Sequence, residues 1–309
     1  MTQHHAFSGP LLELDAARIE AGGAAGEAWT ARGGERRLAL VGDFRPLFRL
    51  LGADATLLSG TARLGTVPLA AAVARGVAGL APLDPELIPD WTAERYLLET
   101  ARLRGFGEPD ARRAADAAIA LFELYGAARM RVTQLYVAVQ RVVQLAQATI
   151  GEPVCLCVEA PLSGLDAEAQ VYVSAAIDRA CAERRLIVSV PTLPARGAER
   201  TLVDRADWVI VERAGRIANE GTPATALSAG KRCIATVTRG GDAFLAALTE
   251  RGFAPARVIA TPEVLGAVAS ALPAVPLQIL VELHPGATPN DVFAAAVDAG
   301  APLVELVAV

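Results

Sequence analysis

Few residues in this sequence have the type and setting to do chemistry. An apolar run, Val154-Cys-Leu-Cys-Val158, ends on a carboxylate, Glu159. A carboxylate at the end of a buried strand can be a metal ligand, but Glu159 has too few hard oxygen neighbours in the sequence to hold Mg²⁺. Its structural alternative is a hydrogen-bonded strand-end carboxylate. A second apolar run, Leu38-Ala-Leu-Val41, ends on Gly42, the pattern of a buried strand leading into a loop. Of 29 basic residues 28 are Arg, so a lysine-dependent step must run through Lys231. That residue follows Gly230, but the position five before this glycine is Thr225 and the next residue is Arg232. His4, His5 and His284 are not spaced as a catalytic or metal set. Cys155, Cys157, Cys181 and Cys233 lack CxxC spacing, so they read as reduced, buried thiols and no metal is expected.

The elements that position these residues follow from length and pattern. A chain of 309 residues suggests two domains, and 53% hydrophobic with 20% charged residues gives a real core and excludes a disordered protein. No stretch of bilayer length is free of charges and turn formers, and the N-terminus does not read as a secretory leader. A cytoplasmic protein without membrane insertion is therefore expected. The net charge of −5, without a basic run, argues against nucleic acid as a partner.

Strands are expected at residues 11–20, 37–42, 154–158 and 186–190, with a hairpin at 208–212 and 216–218. Helices are expected at 46–51, 92–104 with Thr92 as N-cap, 109–124, 132–150 and 167–184. Apolar strands separated by helices imply a mainly parallel sheet covered on both faces. Near Ala229 the pattern restarts. Strands at 233–238, 257–260, 277–283 and 302–309 alternate with helices at 242–251, 262–272 and 289–299, a small α/β domain of split βαβ kind. The expected domains are 1–228 and 229–309.

The stretch Gly151-Glu-Pro-Val-Cys-Leu-Cys-Val-Glu-Ala-Pro-Leu-Ser-Gly-Leu-Asp166 resembles the Walker B strand and D-loop of ATP-binding cassette (ABC) ATPases. The resemblance runs in order from Leu38 to Pro223. Residues 38–42 resemble the strand entering the phosphate loop, and 132–153 the signature helix and the turn after it. Residues 206–223 (ADWVIVERAGRIANEGTP) resemble the hairpin after the H-loop strand. This implies an α/β fold with a RecA-like P-loop NTPase core, an antiparallel β edge near 11–40 and a helical subdomain near 90–150. The C-terminal part resembles the extra domain of ABC-2 type exporter ATPases.

The motifs that carry the family's chemistry are degenerate. A working phosphate loop is G-x-x-x-x-G-K-[ST], because amides wrap the phosphates, Lys neutralises charge and a hydroxyl holds Mg²⁺. Gly42 is followed instead by Asp-Phe-Arg-Pro-Leu-Phe-Arg, with no second Gly, no Lys and no hydroxyl. Pro46 removes an amide donor and Asp43 opposes phosphate by like charge. Leu83 stands at the Q-loop Gln position and Pro191 at the H-loop His position. Glu159 aligns with the metal-binding Asp and Ala160 with the catalytic Glu; a one-residue slip aligns Val158 and Glu159 instead. Leu135-Tyr-Val-Ala-Val139 replaces the small residues of the signature, placing Tyr136 and Val137 where a partner's nucleotide would lie.

The resemblance with these losses implies a catalytically inactive, pseudo-ATPase subunit that serves as a structural or regulatory module of an ABC-type membrane complex. It implies no catalytic or nucleotide-binding residues, the positions Gly42, Leu83, Glu159, Ala160 and Pro191 being relics, and no cofactor. Its partners would be an ABC-type ATPase subunit, in a homo- or heterodimer, and a membrane permease, with the chain peripheral on the inner face of the cell membrane. Tyr136, Val137, Ser163, Gly164, Leu165 and Asp166 are interface positions on this reading. The alternative for residues 163–166 is a tight turn ending in an N-cap. The alternative for the whole is a divergent but active ABC subunit that energises export with ATP and Mg²⁺, its phosphate site built from Arg45, Arg49 and Glu159. A third reading is a free-standing scaffold. On the inactive reading, Glu159→Ala, Lys231→Ala and Gly42→Ala leave function largely intact.

Overall fold

A computed structural model describes residues 9–21, 23–85, 87–228, 232–258, 277–283, 287 and 289–308. The chain divides into two compact units, Met1–Pro223 and Ala224–Val309.

The first unit opens with β1 (Leu12–Ala21), β2 (Ala24–Ala25), β3 (Trp29–Gly33) and β4 (Arg37–Val41), followed by α1 (Arg45–Leu51). Next come β5 (Ala55–Leu64), β6 (Val67–Pro68), α2 (Leu69–Ala72) and β7 (Ala78–Ala81). A helical stretch follows: α3 (Ala93–Leu103), α4 (Glu108–Leu121) and α5 (Val137–Thr149). The unit continues through β8 (Cys155–Val158), α6 (Ala167–Ala180), β9 (Arg185–Val190), α7 (Ala198–Asp204), β10 (Trp208–Arg213) and β11 (Arg216–Gly221), and α8 (Pro223–Ser228) comes next in the chain.

Two sheets result. The antiparallel one has the order β2-β1-β5-β6, with β3 also on β1. On β1 the buried Leu12, Leu14, Ala17 and Ile19 face inward, and the alternation slips at a register shift after Asp15. The second sheet has the order β11-β10-β4-β9-β8-β7 and is parallel except for the β10–β11 hairpin. Its central strands β4, β9 and β8 are buried along nearly their whole length, which is why they read as unbroken apolar runs. At Gly79 on β7 an added Cβ would lie 1.9 Å from the Ala148 carbonyl oxygen, so glycine lets the end of α5 rest directly on the sheet edge.

Several expectations are corrected. The helix expected over 132–150 is interrupted: Val132–Gln134 is a 3₁₀ turn, Leu135 is extended (φ −75°, ψ 150°), and α5 starts at Val137. The Gln140 side chain donates to the Leu135 carbonyl at 2.8 Å and so stabilises that break. The helix expected to reach Leu124 ends at Leu121, because Glu123 adopts a left-handed conformation. The next ends at Ala180 rather than 184. The antiparallel edge is not confined to 11–40. It takes β5 from 55–64, whose mostly exposed face gives no apolar alternation, while β4 belongs to the parallel sheet.

The second unit has β12 (Arg232–Val237), α9 (Gly241–Glu250), β13 (Ala254–Val258), β14 (Leu277–Glu282), α10 (Pro289–Asp298) and β15 (Leu303–Ala308). The strands form an antiparallel sheet in the order β13-β14-β12-β15, the βαβ-based pattern expected. Its core joins Phe244 and Leu248 of α9 to Ile279 and Val281 of β14 and Val292 of α10. Burial of each such side chain contributes about 1.5–3 kcal/mol. The helix expected at 262–272 lies outside the described residues.

Candidate functional site

In an open parallel sheet, ligands bind where the strands end at their carboxyl termini. Four adjacent strands, β4, β9, β8 and β7, deliver Gly42, Pro191, Glu159 with Ala160, and Leu83 to this one edge. Hydrogen bonds lace the row together. The Gly42 N–H donates to the Val190 carbonyl at 3.1 Å, the Ala160 N–H to Ser189 Oγ at 3.0 Å, and the Leu83 N–H to Glu159 Oε2 at 3.0 Å. The five positions singled out in the sequence therefore form one edge in space.

The turn after β4 consists of only Gly42, Asp43 and Phe44 before α1 begins. The Gly42, Asp43 and Arg45 N–H groups here find partners within the chain. Besides Gly42, the Asp43 N–H donates to Glu212 Oε2 at 2.6 Å. The Arg45 N–H donates to Asp43 Oδ1 at 3.2 Å, and the Leu47 and Phe48 N–H groups both donate to the Phe44 carbonyl. Pro46 has no N–H to give. The Asp43 carboxylate also clamps the Arg45 guanidinium, at 2.8 Å to Nε and 2.5 Å to Nη2, and this pairing holds the Asp43 carboxyl below the usual carboxylate range. Phe44 is buried against Trp29, ring centroids 5.2 Å apart, and Trp29 Nε1 donates to the Gly215 carbonyl at 2.8 Å.

Glu212 is the penultimate residue of β10 and is only 8% exposed. Its second oxygen accepts the Gly215 N–H at 2.6 Å, so one carboxylate bridges the β4–α1 turn and the β10–β11 turn. Gly42 lies against it: φ is +121°, and an added Cβ would be 2.6 Å from both the Glu212 carbonyl oxygen and Oε2. Glycine is thus required at position 42 by packing and by backbone conformation. The Gly42, Asp43 and Arg45 N–H groups are engaged within the chain, and the Glu212 carboxylate stands among them.

Glu159 faces a cleft of about 800 Å³, whose walls include Phe48 and Arg49 of α1, Leu83 and Asp84, Tyr96 and Arg104. Burial pushes its carboxyl above the usual range, opposed by the Leu83 N–H, and nearby Asp84 raises it further. The half-buried Arg104 guanidinium is depressed by the same desolvation. Glu159 follows β8 directly and accepts the Leu83 N–H, a hydrogen-bonded carboxylate at a strand end. Among the described residues no group of three or more His, Cys, Asp and Glu side chains is placed to hold a metal ion.

The remaining positions lie off this edge. Tyr136 precedes α5 with 87% of its surface exposed, and Val137 is also exposed. Residues 163–166 form a turn: the Ser163 N–H donates to Ala160, the Leu165 N–H to Leu162, and Gly164 takes φ +73°. Asp166 caps α6, accepting the Ala169 N–H at 2.9 Å. All four cysteines are free and buried. Lys231 and the three histidines are outside the described residues. Sequence reasoning missed Glu212, although it stood in the quoted hairpin. The available signal was a lone carboxylate closing the apolar run 208–211.

No family profile matches the chain. A curated relative, the Nod factor export ATP-binding protein I of Paraburkholderia xenovorans (strain LB400), is 32% identical over 114 residues, covering 36% of this chain. The chain spans 38% of that relative's length. Among solved structures, the ATP-binding subunit of an ABC transporter aligns with a TM-score of 0.56 at 19% identity, over 69% of this chain and 90% of that one. The dimeric, post-hydrolysis state of an ATP-binding cassette bound to ADP and Pi aligns with a TM-score of 0.57 at 14% identity, over 69% and 98%. At such identities the structures show the fold, that of ABC ATP-binding cassettes.

Proposed function

We propose that this chain, which carries the ABC cassette fold, is a subunit of an ABC-type membrane complex that acts without binding or hydrolysing nucleotide, as a structural or regulatory module. The observation that carries this reading is the turn after β4. It has three residues, its Gly42 and Asp43 amides are engaged within the chain, and Glu212 places a carboxylate against it. Phosphoryl transfer depends on placed positive charge and metal, and residues 42–51, the turn and the helix after it, carry neither a lysine nor a hydroxyl.

The partners we propose are an ATPase subunit of the same fold and a membrane permease. No helix of the described residues is long and apolar enough to cross a membrane. On this reading the chain sits peripherally on the inner face of the membrane, with a permease segment in the cleft bordered by Leu83. The exposed Tyr136 and Val137 face the second ATPase. An ABC-2 export system is the setting we favour, because the curated relative is an export ATP-binding protein.

A titration of the purified chain with Mg·ATP, read by calorimetry and by melting temperature, tests the reading, since a ligand of the folded state must raise its stability. No heat and no shift at millimolar ATP is the expected result. Saturable binding followed by turnover with the partner present would establish the active alternative instead. Tyr136→Ala should leave the melting temperature unchanged and weaken co-purification with the second ATPase.

A further inference from the structure

We propose that Glu212 is a built-in occupant of the phosphate position: its carboxylate takes the donors and the space at the end of β4 and latches the turn shut. The inference deepens the nucleotide-free reading and rests on it. Three observations converge. The carboxylate accepts two short bonds from backbone N–H groups of two different turns, Asp43 and Gly215, both at 2.6 Å. It is almost wholly buried, so the bonds form out of water, where they are strong and where losing either one strands an amide. It fills the volume above Gly42, which no side chain could share.

A second path ties the same two turns. Phe44 of the first packs against Trp29, the rings tilted by 57°, and the indole N–H of Trp29 donates to the Gly215 carbonyl of the second. The turns are thereby held at the separation that one carboxylate spans. An incoming phosphate oxygen would need the same amides and would meet a like charge. Being part of the chain, Glu212 competes as an intramolecular ligand at high effective concentration. Asp43, the other carboxylate here, is paired with the Arg45 guanidinium and accepts the Arg45 N–H, whereas Glu212 is the carboxylate on the Asp43 and Gly215 N–H groups.

Removing the occupant should expose an anion site. Glu212→Ala leaves two unpaired amides in a carboxylate-sized space. Inorganic phosphate at millimolar concentration should therefore raise the melting temperature of E212A saturably and leave the wild type unmoved. Equal responses of the two proteins would overturn the latch. Should E212A fail to fold, Glu212→Gln serves. Its amide NH₂ must face one of the two N–H groups, so hydrogen exchange at Asp43 or Gly215 should quicken by about tenfold or more. Unchanged exchange at both amides would overturn the proposal. The two failures are distinguishable. Nucleotide binding by the wild type sinks the nucleotide-free reading, whereas a phosphate-indifferent E212A sinks the latch and leaves that reading standing.

Discussion

The Glu212 carboxylate and the α-carbon of Gly42 are in direct apposition, so close that a methyl group on Gly42 would lie 2.6 Å from Oε2. Glycine at this position also has φ +121°, where side-chain-bearing residues are strained. Gly42→Ala should therefore cost about 1–3 kcal/mol of folding stability. Urea denaturation of the variant reads this directly. An unchanged midpoint would mean that the carboxylate is free to move aside.

Glu159 makes a pH-dependent contribution whose sign follows from its raised carboxyl pKa. A group that binds its proton more tightly in the folded state adds stability below its ordinary pKa and loses it as pH rises through the raised value. At neutral pH the ionised Glu159 is thus a cost. Glu159→Gln keeps an acceptor for the Leu83 N–H, so it should melt above the wild type at pH about 7.5, and the gap should close near pH about 4. A gap of opposite sign at neutral pH would show that Arg45 and Arg141 outweigh burial.

The thiols should be silent in the native protein. Cys155 and Cys181 are fully buried, burial pushes the Cys181 thiol up to about 12 and the Cys155 thiol well above its usual value, and the reactive species is the thiolate. Alkylation under native conditions should leave both unlabelled, with modification appearing only in denaturant. Rapid native labelling of either would contradict the packing of β8 and α6.

Asp166 separates two roles by measurement. As the N-cap of α6 it should cost about 1 kcal/mol when changed to Ala and little when changed to Asn or Ser. If Asp166→Asn keeps stability but abolishes pairing with a second ATPase, the residue has an interface role as well.

Much of the fold was legible because β4, β8, β9 and β10 are covered on both faces and so carry consecutive apolar residues. The edge they build was legible too, since Gly42, Glu159 and Pro191 each follow such a run. What could not be read was contact across the chain. Asp43 and Glu212 are 169 positions apart, and nothing local to either residue specifies the other. The interruption at Leu135 was hidden for a related reason. Residues 132–149 have the composition of one helix, and the break is held by the reach of the Gln140 side chain. The strand β5 was missed because its exposed residues do not alternate.

The three-residue turn between β4 and α1 resists any change in its own length. A loop long enough to wrap a phosphate would require inserted residues between Val41 and Arg45, displacing Phe44 from Trp29 and Asp43 from Glu212 in the same event. Such an insertion would lose native contacts before gaining a ligand, whereas a substitution within the turn leaves its span unchanged.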